Sequence, residues 1–372
     1  MEPPSLRDVR DGALLVEHPG LPDDDANRAA VALGRALLAS GEPGLLDAIP
    51  GARTLLLLFV PERLARERLT AAVEAAAAGG SEDTASSRLL RIPAVYDGED
   101  LAEAARLTGI SPGEIARRHA GARYRVAFIG FAPGFAYLAG LPPELAVPRL
   151  SSPRPRVPAG SVAIGGAWTG VYPAASPGGW RLIGRTSVRL FDPRAEPPSL
   201  LRAGDRVEFE AVPPGRIPAP PPQEIEPPAG RPVFRVLSPG LFTSVQGAPR
   251  FGLGSAGVPG GGAMDFVSLA AANALVGNAP GAGALEMTLS GAELECLEDA
   301  VLAFAGANLE AAINGRRAPA GEAFRVSAGE RLRCGRISSG ARAYLAVRGG
   351  IVGAGITRRI AAGERMAVGS QL

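Results

Sequence analysis

The chain has 372 residues, 46% of them hydrophobic, and carries 39 basic against 37 acidic side chains. All 39 basic residues are arginine, histidine occurs only as His18 and His119, and cysteine only as Cys296 and Cys334. Without lysine the chain excludes a Walker-type P-loop, Schiff-base and pyridoxal phosphate chemistry, and a biotin carrier. Anion handling falls to arginine, backbone N–H groups and helix ends. A net charge of +2 makes no case for nucleic acid. The longest strongly apolar run, Leu55–Val60, is far short of the ~20 residues of a membrane helix. The start has no signal-peptide pattern, so reduced, buried thiols in a cytoplasmic protein are expected rather than a disulfide.

In chain order, Ala13–Glu17 reads as a strand and Asp24–Ala39 as a helix, with the Asp23–Asp25 run at its start. Leu45–Ile49 and Thr54–Val60 read as strands. Pro61 is expected to open a second helix, which Gly79-Gly80 close, and Leu89–Tyr96 reads as a strand. The order βαββαβ suits a small ferredoxin-like α/β domain over residues 1–90. Residues 91–212 begin with two short helices, Asp97–Leu107 and Ser111–His119. Short β-rich runs follow at Tyr124–Ile129, Ser161–Ile164, Gly170–Tyr172, Trp180–Ile183, Val188–Phe191 and Arg206–Phe209, a texture of barrel or sandwich.

Residues 213–232 hold nine prolines in twenty positions. At ~3.1 Å per residue such a linker spans up to roughly 60 Å. Residues 233–372 return to β-rich texture. The expected strands are Phe234–Leu237, Glu293–Cys296, Ala300–Ala305, Leu309–Ile313, Ala323–Val326 and Ala343–Val347, with one helix at Phe266–Val276. The fold class is α+β, mainly β.

The densest special sequence is Gly130-Phe131-Ala132-Pro133-Gly134-Phe135-Ala136-Tyr137-Leu138. Pro133 and Gly134 force a tight turn, and three aromatics flank it. Such clustering makes either a pocket wall or a hydrophobic barrel corner. Glycine-dense segments follow around Gly160-Ser161, Thr169-Gly170-Val171-Tyr172-Pro173, Gly178-Gly179-Trp180 and Gly184-Arg185-Thr186. They let backbone approach a ligand or another strand closely. His119, at a helix end, is either a base near neutral pH or a structural cation at the helix terminus.

These motifs resemble the B component of the prokaryotic 5-oxoprolinases, the PxpB/KipI or allophanate hydrolase subunit 1 family. The resemblance covers about residues 1–212 and includes Ser152-Pro153-Arg154 and Val157-Pro158-Ala159-Gly160-Ser161-Val162. Beyond the linker, the chain resembles the start of the partner component, PxpC/KipA or allophanate hydrolase subunit 2. The matching residues include Thr243-x-Val245-Gln246, Arg250-x-Gly252, Gly262-Ala263-Met264-Asp265, Ala272-Asn273, Leu275-Val276-Gly277-Asn278, Leu285-Glu286 and Tyr344–Val347. The whole looks like a natural fusion of the two. Three positions depart from the family pattern: Trp168 stands where a Gln is common, Gly247 where an Asp is usual, and Pro249 where a Gly is usual. The second half of the PxpC-like component is expected to be missing.

The resemblance implies a cyclophilin-like β-barrel at 91–212 and a second, partial cyclophilin-like β-domain at 233–372. It implies ATP-dependent opening of 5-oxo-L-proline to glutamate, with a LamB/YcsF-like partner, PxpA. ATP would bring magnesium as its counter-ion, and no protein metal site is assigned. The expected catalytic residues are His119, Arg185 and Asp265. The expected binding residues are Phe131, Pro133, Phe135, Tyr137, Arg154, Gly160, Ser161, Thr169, Tyr172, Gly178, Gly179, Thr186, Gln246, Arg250 and Asn273. Alternatives are a KipI-like inhibitor of a sensor histidine kinase and urea-amide carboxyltransferase chemistry. A small-molecule substrate is expected, and no nucleic acid or membrane partner; self-association stays open.

Overall fold

The computed structural model describes residues 3–79, 88–193, 195–216, 230–353 and 358–369. The chain forms two compact units: Met1–Gln223 with Phe251–Pro259, and Glu224–Arg250 with Gly260–Leu372. Residues 217–229, the bulk of the expected linker, lie outside the described residues.

The first unit opens with β1 (Ser5–Arg10), β2 (Ala13–Glu17), α1 (Asp23–Ala39), β3 (Leu45–Pro50), β4 (Thr54–Phe59) and α2 (Arg66–Ala78). The sheet order is β1-β2-β4-β3. β4 runs antiparallel to both β2 and β3, so β2-α1-β3 is the split βαβ expected from sequence. Ala26, Ala30, Leu33 and Leu37 recur at helical spacing on α1 and are buried. Ala30, Leu33 and Leu37 meet the sheet residues Leu14, Val16, Leu55 and Leu57. Pro61 does not start α2. It begins a turn that buries Leu64, and the helix follows at Arg66.

The last strand of the expected βαββαβ order goes elsewhere. β5 (Leu89–Ala94) pairs in parallel with β13 (Arg206–Ala211), and β1, unforeseen in the sequence, takes the free edge of the first sheet. Ile92 and Ala94, alternating along β5, belong to a different core. Between them come α3 (Leu101–Thr108), α4 (Pro112–Gly121), β6 (Tyr124–Ile129), β7 (Ala136–Ala139), β8 (Arg154–Val157), β9 (Ser161–Gly165), β10 (Trp168–Val171), β11 (Ser176–Gly178) and β12 (Arg181–Arg185). Ser111 caps α4 as its side chain accepts from Glu114 N. The sheet order is β12-β9-β10-β7-β6-β13-β5, with β11-β8 as a separate ribbon. Val188–Phe191 is not a strand; Phe191 makes only an isolated bridge to Ser199.

The two ends of this sheet meet, which nearly closes it into a barrel. Val95 and Arg185 exchange both backbone hydrogen bonds, at 2.9 and 2.8 Å. Asp100 reinforces the seam: its N–H donates to Leu182 O at 2.9 Å, and its carboxylate accepts from Leu182 N at 2.7 Å. A Cβ on Gly98 would lie 2.4 Å from Leu182 O, and one on Gly184 2.4 Å from Val95 O, so the strands approach this closely only with glycine there. Arg154 donates to Asp100 at 2.7 Å and pairs with Glu99 at 2.7 Å, while Arg185 donates to Asp97 at 3.0 Å.

Phe251–Pro259 is built into this unit through Asp47, which is only 1% exposed. Its carboxylate accepts from Gly254 N at 2.6 Å, Ser255 N at 3.2 Å and Ala48 N at 2.9 Å.

The second unit contains β14 (Arg231–Ser238), β15 (Phe242–Gln246), α5 (Phe266–Leu275), β16 (Ala284–Thr288), β17 (Glu293–Cys296), β18 (Ala300–Ile313), β19 (Arg316–Arg317), β20 (Ala323–Val326), β21 (Arg331–Val347), β22 (Arg358–Arg359) and β23 (Arg365–Val368). Pro232, assigned to the linker from sequence, lies inside β14. The path β22-β15-β16-β21-β17-β14-β23 forms a half-barrel, with β18 on β21 and β20 on β18. The expected strands Ala300–Ala305 and Leu309–Ile313 are one strand, which bends at Gly306 (φ 91°). One sheet face packs Val245, Leu285, Leu345 and Phe304; the other holds Tyr344 and Ala303 against Leu269 and Ala272 of α5. Cys296 and Cys334 are free and buried, and burial pushes both thiols up to about 12.

Asp100→Ala removes the acceptor of Leu182 N–H and one of the two carboxylates on Arg154, which keeps Glu99. The expected cost is about 2–4 kcal/mol, read as a lower urea midpoint for the first unit. A change below ~0.5 kcal/mol would show that the seam does not depend on Asp100.

Candidate functional site

The turn between β6 and β7 carries the aromatic motif. Phe135 N–H donates to Ala132 O at 3.0 Å, and Gly130 N–H to Phe135 O at 3.0 Å. Gly134 has φ 78°, and a Cβ there would sit 2.8 Å from Phe191 Cβ. Phe131 also adopts positive φ, 72°, although it is not glycine. Such a conformation costs ~1–3 kcal/mol and persists only where its surroundings impose it. Here it holds the Phe131 ring 63% exposed, edge-on to Phe135 (5.4 Å) and Tyr172 (6.4 Å).

Behind Phe131 stands a wall of rings. Phe135 packs edge-on against Tyr137, Tyr172 and Trp180 at 5.1–5.3 Å. Trp168, half-buried, adds edge contacts to Phe128 and Tyr137 at 5.5 and 6.0 Å. The Arg149 guanidinium lies over the Trp180 ring at 5.6 Å. Burial raises the Tyr137 and Tyr172 hydroxyls above their ordinary range, with Arg149 opposing, so both stay protonated at neutral pH. A Cβ on Gly178 would lie 2.3 Å from Tyr172 Oη, which explains glycine there. Phe131, Tyr137 and Trp168 reach solvent beside the exposed Arg149, while Phe135, Tyr172 and Trp180 are buried behind them. The exposed set suits a small flat anion.

Other expected site residues serve the frame. Gly160 has φ 79° and bonds both Tyr172 O and Thr186 N. Ser161 donates to Pro158 O at 2.8 Å, and buried Thr186 accepts from Val188 N at 3.2 Å. Gly179 O accepts from Leu150 N at 2.7 Å, and Pro133 shapes the aromatic turn. Arg154 and Arg185 are held on carboxylates at the barrel seam; Arg154 also stands close enough to Tyr172 to oppose the rise in its hydroxyl's pKa.

His119 is fully buried among Tyr96, Tyr124 and Phe209. Both ring nitrogens are used, Nδ1 with Tyr96 Oη and Nε2 with Thr169 Oγ1, each at 2.8 Å. Thr169 gives its own proton to Ala163 O at 2.9 Å, so it accepts from His119 Nε2–H. Nδ1 therefore accepts from Tyr96. This neutral His locks α4 to β10 and has no face for a substrate, so the expected base is a clamp. Thr169 is likewise a buried anchor.

In the second unit, Asp265 caps α5: it accepts from Ser268 N at 3.0 Å and from the Ser268 hydroxyl, which holds its carboxyl below the usual range. Buried Asn273 donates to Pro280 O and Ala282 O and accepts from Asn278, which shapes the following loop. Gln246 donates to Ser244 at 3.1 Å. Arg250 is partly buried, which lowers its pKa, and its backbone N–H donates to Gly260 O. Not singled out as site residues in the sequence are Arg149, Glu286 and Tyr344. Glu286 accepts from Met264 N at 2.8 Å and Tyr344 Oη at 2.7 Å, and Tyr344 accepts from Asp265 N at 2.8 Å. Glu286 falls opposite Ser244 and Tyr344 on neighbouring strands, a register that the sequence alone does not reveal.

Residues 4–201 match the family described as carboxyltransferase domain, subdomain C and D; residues 256–357 match carboxyltransferase domain, subdomain A and B. The 5-oxoprolinase B component of Bacillus subtilis (strain 168) is 37% identical over 221 residues, 56% of this chain and 92% of that protein. The 5-oxoprolinase C component of Escherichia coli (strain K12) is 38% identical over 113 residues, 30% of this chain and 36% of that protein. The crystal structure of TTHA0988 superposes with a TM-score of 0.74 at 38% identity, over 99% of this chain and 76% of that one. The chain therefore joins a region like the B component to part of a region like the C component, as the motifs imply. Its nearly closed barrel and half-barrel fit cyclophilin-like carboxyltransferase domains.

Burial pushes the His119 imidazole down to about 3, below the ~6.5 of an unfolded chain. As pH falls, the unfolded chain takes the proton first. The stability contributed by neutral His119 is complete above pH ~6.5 and is lost towards pH 3, at up to ~1.4 kcal/mol per unit. His119→Gln is expected to lower stability at pH 7 and to flatten this acid slope. Urea midpoints at pH 7, 6 and 5 check it; a wild-type-to-variant gap that stays constant with pH would contradict it.

Proposed function

Because this chain belongs to the carboxyltransferase-domain family, with subdomains C and D at residues 4–201, we propose that it is the B–C component of an ATP-dependent 5-oxoprolinase. The observation that carries this reading is the aromatic wall with Arg149 at its side. 5-oxo-L-proline is a small, flat lactam with one carboxylate. Phe131 and Trp168 offer ring surface to the lactam, Arg149 takes the carboxylate, and the protonated Tyr137 hydroxyl donates a hydrogen bond. Trp168, in place of the amide that the family often has, makes this recognition rest on stacking rather than on amide pairing. The relatives named as B and C components of 5-oxoprolinase support the substrate class.

ATP would supply phosphorylation of the lactam oxygen, and a LamB/YcsF-like PxpA partner would complete the enzyme. Among the described residues no group of three or more His, Cys, Asp or Glu is placed to hold a metal ion. Magnesium would then travel with the nucleotide phosphates, and Asp265 stays with Ser268. Arg154 and Arg185 act through the barrel frame, so replacing them tests stability before it tests phosphate contact. No helix among the described residues is long and apolar enough to cross a membrane; a cytoplasmic setting, where ATP is at hand, suits this reading.

Mixed with a PxpA-type partner, ATP, magnesium and 5-oxoproline, the chain should release glutamate and phosphate. Phe131→Ala is expected to lower kcat/KM by about tenfold (~1.4 kcal/mol) at an unchanged melting temperature. Turnover no higher than with the partner alone, both proteins folded, sinks the reading.

A further inference from the structure

The seam occupies Arg154 and Arg185, two of the three arginines that the motifs single out, which turns attention to other guanidinium groups as phosphate contacts. In the second unit a cleft of about 320 Å³ is lined by Arg231, Arg325 and Arg348, with Ser327 and Asp299. Two strands and the residue that follows a third supply the guanidinium groups. Arg325 lies on β20 directly across from Val301 of β18, and Arg348 follows β21, its backbone N–H donating to Val301 O at 2.9 Å. The two therefore flank the start of β18 from opposite sides. Arg231 begins β14.

The carboxylates around the cleft are already engaged. Glu298 pairs with Arg231 at 2.8 Å, and Asp299 accepts from Ala328 N at 2.9 Å. Arg348 donates through Nε to Val276 O at 3.2 Å, which leaves its two terminal nitrogens to the cleft. Among the described residues no ion pair joins a carboxylate to Arg325 or Arg348. With Glu298 held on Arg231, the cleft sets three positive side chains against two negative, with a hydroxyl beside them.

We infer that this cleft binds a phosphate group, either free phosphate or the terminal phosphate of a nucleotide. Guanidinium forks present paired N–H donors to tetrahedral oxyanions, and Ser327 adds a further donor. The cleft volume accepts phosphate or pyrophosphate with room to spare. The nucleotide arm of this inference rests on the proposed function; the free-phosphate arm does not, because it concerns binding alone.

The test is calorimetric titration of the whole protein with inorganic phosphate and, separately, with ATP. Saturable phosphate binding is expected, weakened about tenfold or more in both Arg325→Gln and Arg348→Gln and unchanged in Arg106→Gln, a surface arginine paired with Glu103. Both cleft arginines are exposed, so their variants should keep the wild-type melting temperature. Competition between ATP and phosphate, lost in both variants, identifies the nucleotide as the source. Phosphate binding that ATP does not displace identifies the free ion. Absence of saturable binding for either ligand, or equal binding by wild type and both variants, overturns the inference.

Discussion

The barrel seam governs the first unit. A seven-stranded sheet closes only if its first and last strands meet at hydrogen-bonding distance, and here they meet at Val95 and Arg185. Two glycines permit that approach, Gly98 and Gly184. Asp100 then converts a close approach into a bonded one, because its carboxylate satisfies Leu182 N–H and the Arg154 guanidinium at once. A buried carboxylate is tolerated only with such partners. Closure also fixes β12, which packs beside Phe135, Tyr172 and Trp180 through Leu182. The aromatic wall inherits its geometry from the seam.

The lysine-free composition takes on a structural meaning in this frame. Arg154 reaches two carboxylates at once, on Glu99 and Asp100, which a compact ammonium does less well than a planar fork. Arg149 lies over an indole ring, another geometry that suits guanidinium. Arginine thus holds the frame at Arg154 and, in the proposed function, recognises substrate at Arg149 in the same domain. Burial separates the two roles: Arg154 is largely covered, whereas Arg149 is exposed.

The second unit shows how a motif can look chemical and act through shape. Asp265, Asn273 and Asn278 occupy matched positions, and each hydrogen-bonds nearby backbone or side chains. Asp265 starts α5, and the two asparagines hold the loop that leads into β16. Glu286 and Tyr344 tie the entry to α5 onto the sheet beneath it. These bonds keep α5 seated over Ala303 and Ala346. Short polar side chains recur there because a tight loop over a sheet leaves backbone groups that need partners.

Local features were legible in the sequence. The exclusions from composition, the split βαβ core, the helices at α1, α4 and α5, and strands such as Tyr124–Ile129 and Glu293–Cys296 follow from periodicity, caps and turn residues that act over a few positions. The clustered aromatics were legible because they are neighbours in the chain. Strands β7, β8 and β11 were not, since proline and glycine mask their pattern. Nor was the partner of β5, which lies over a hundred positions away in β13. His119 shows the division: its place at a helix end was readable, but its role depended on Tyr96 and Thr169, which only folding brings together. By itself the sequence determined which chemistries the chain lacks and which short segments form helices and turns. Tertiary structure alone decided which arginines, histidine and carboxylates face solvent and which are used up in the frame. Burial and pairing depend on strand register across long separations, and local propensity does not encode register.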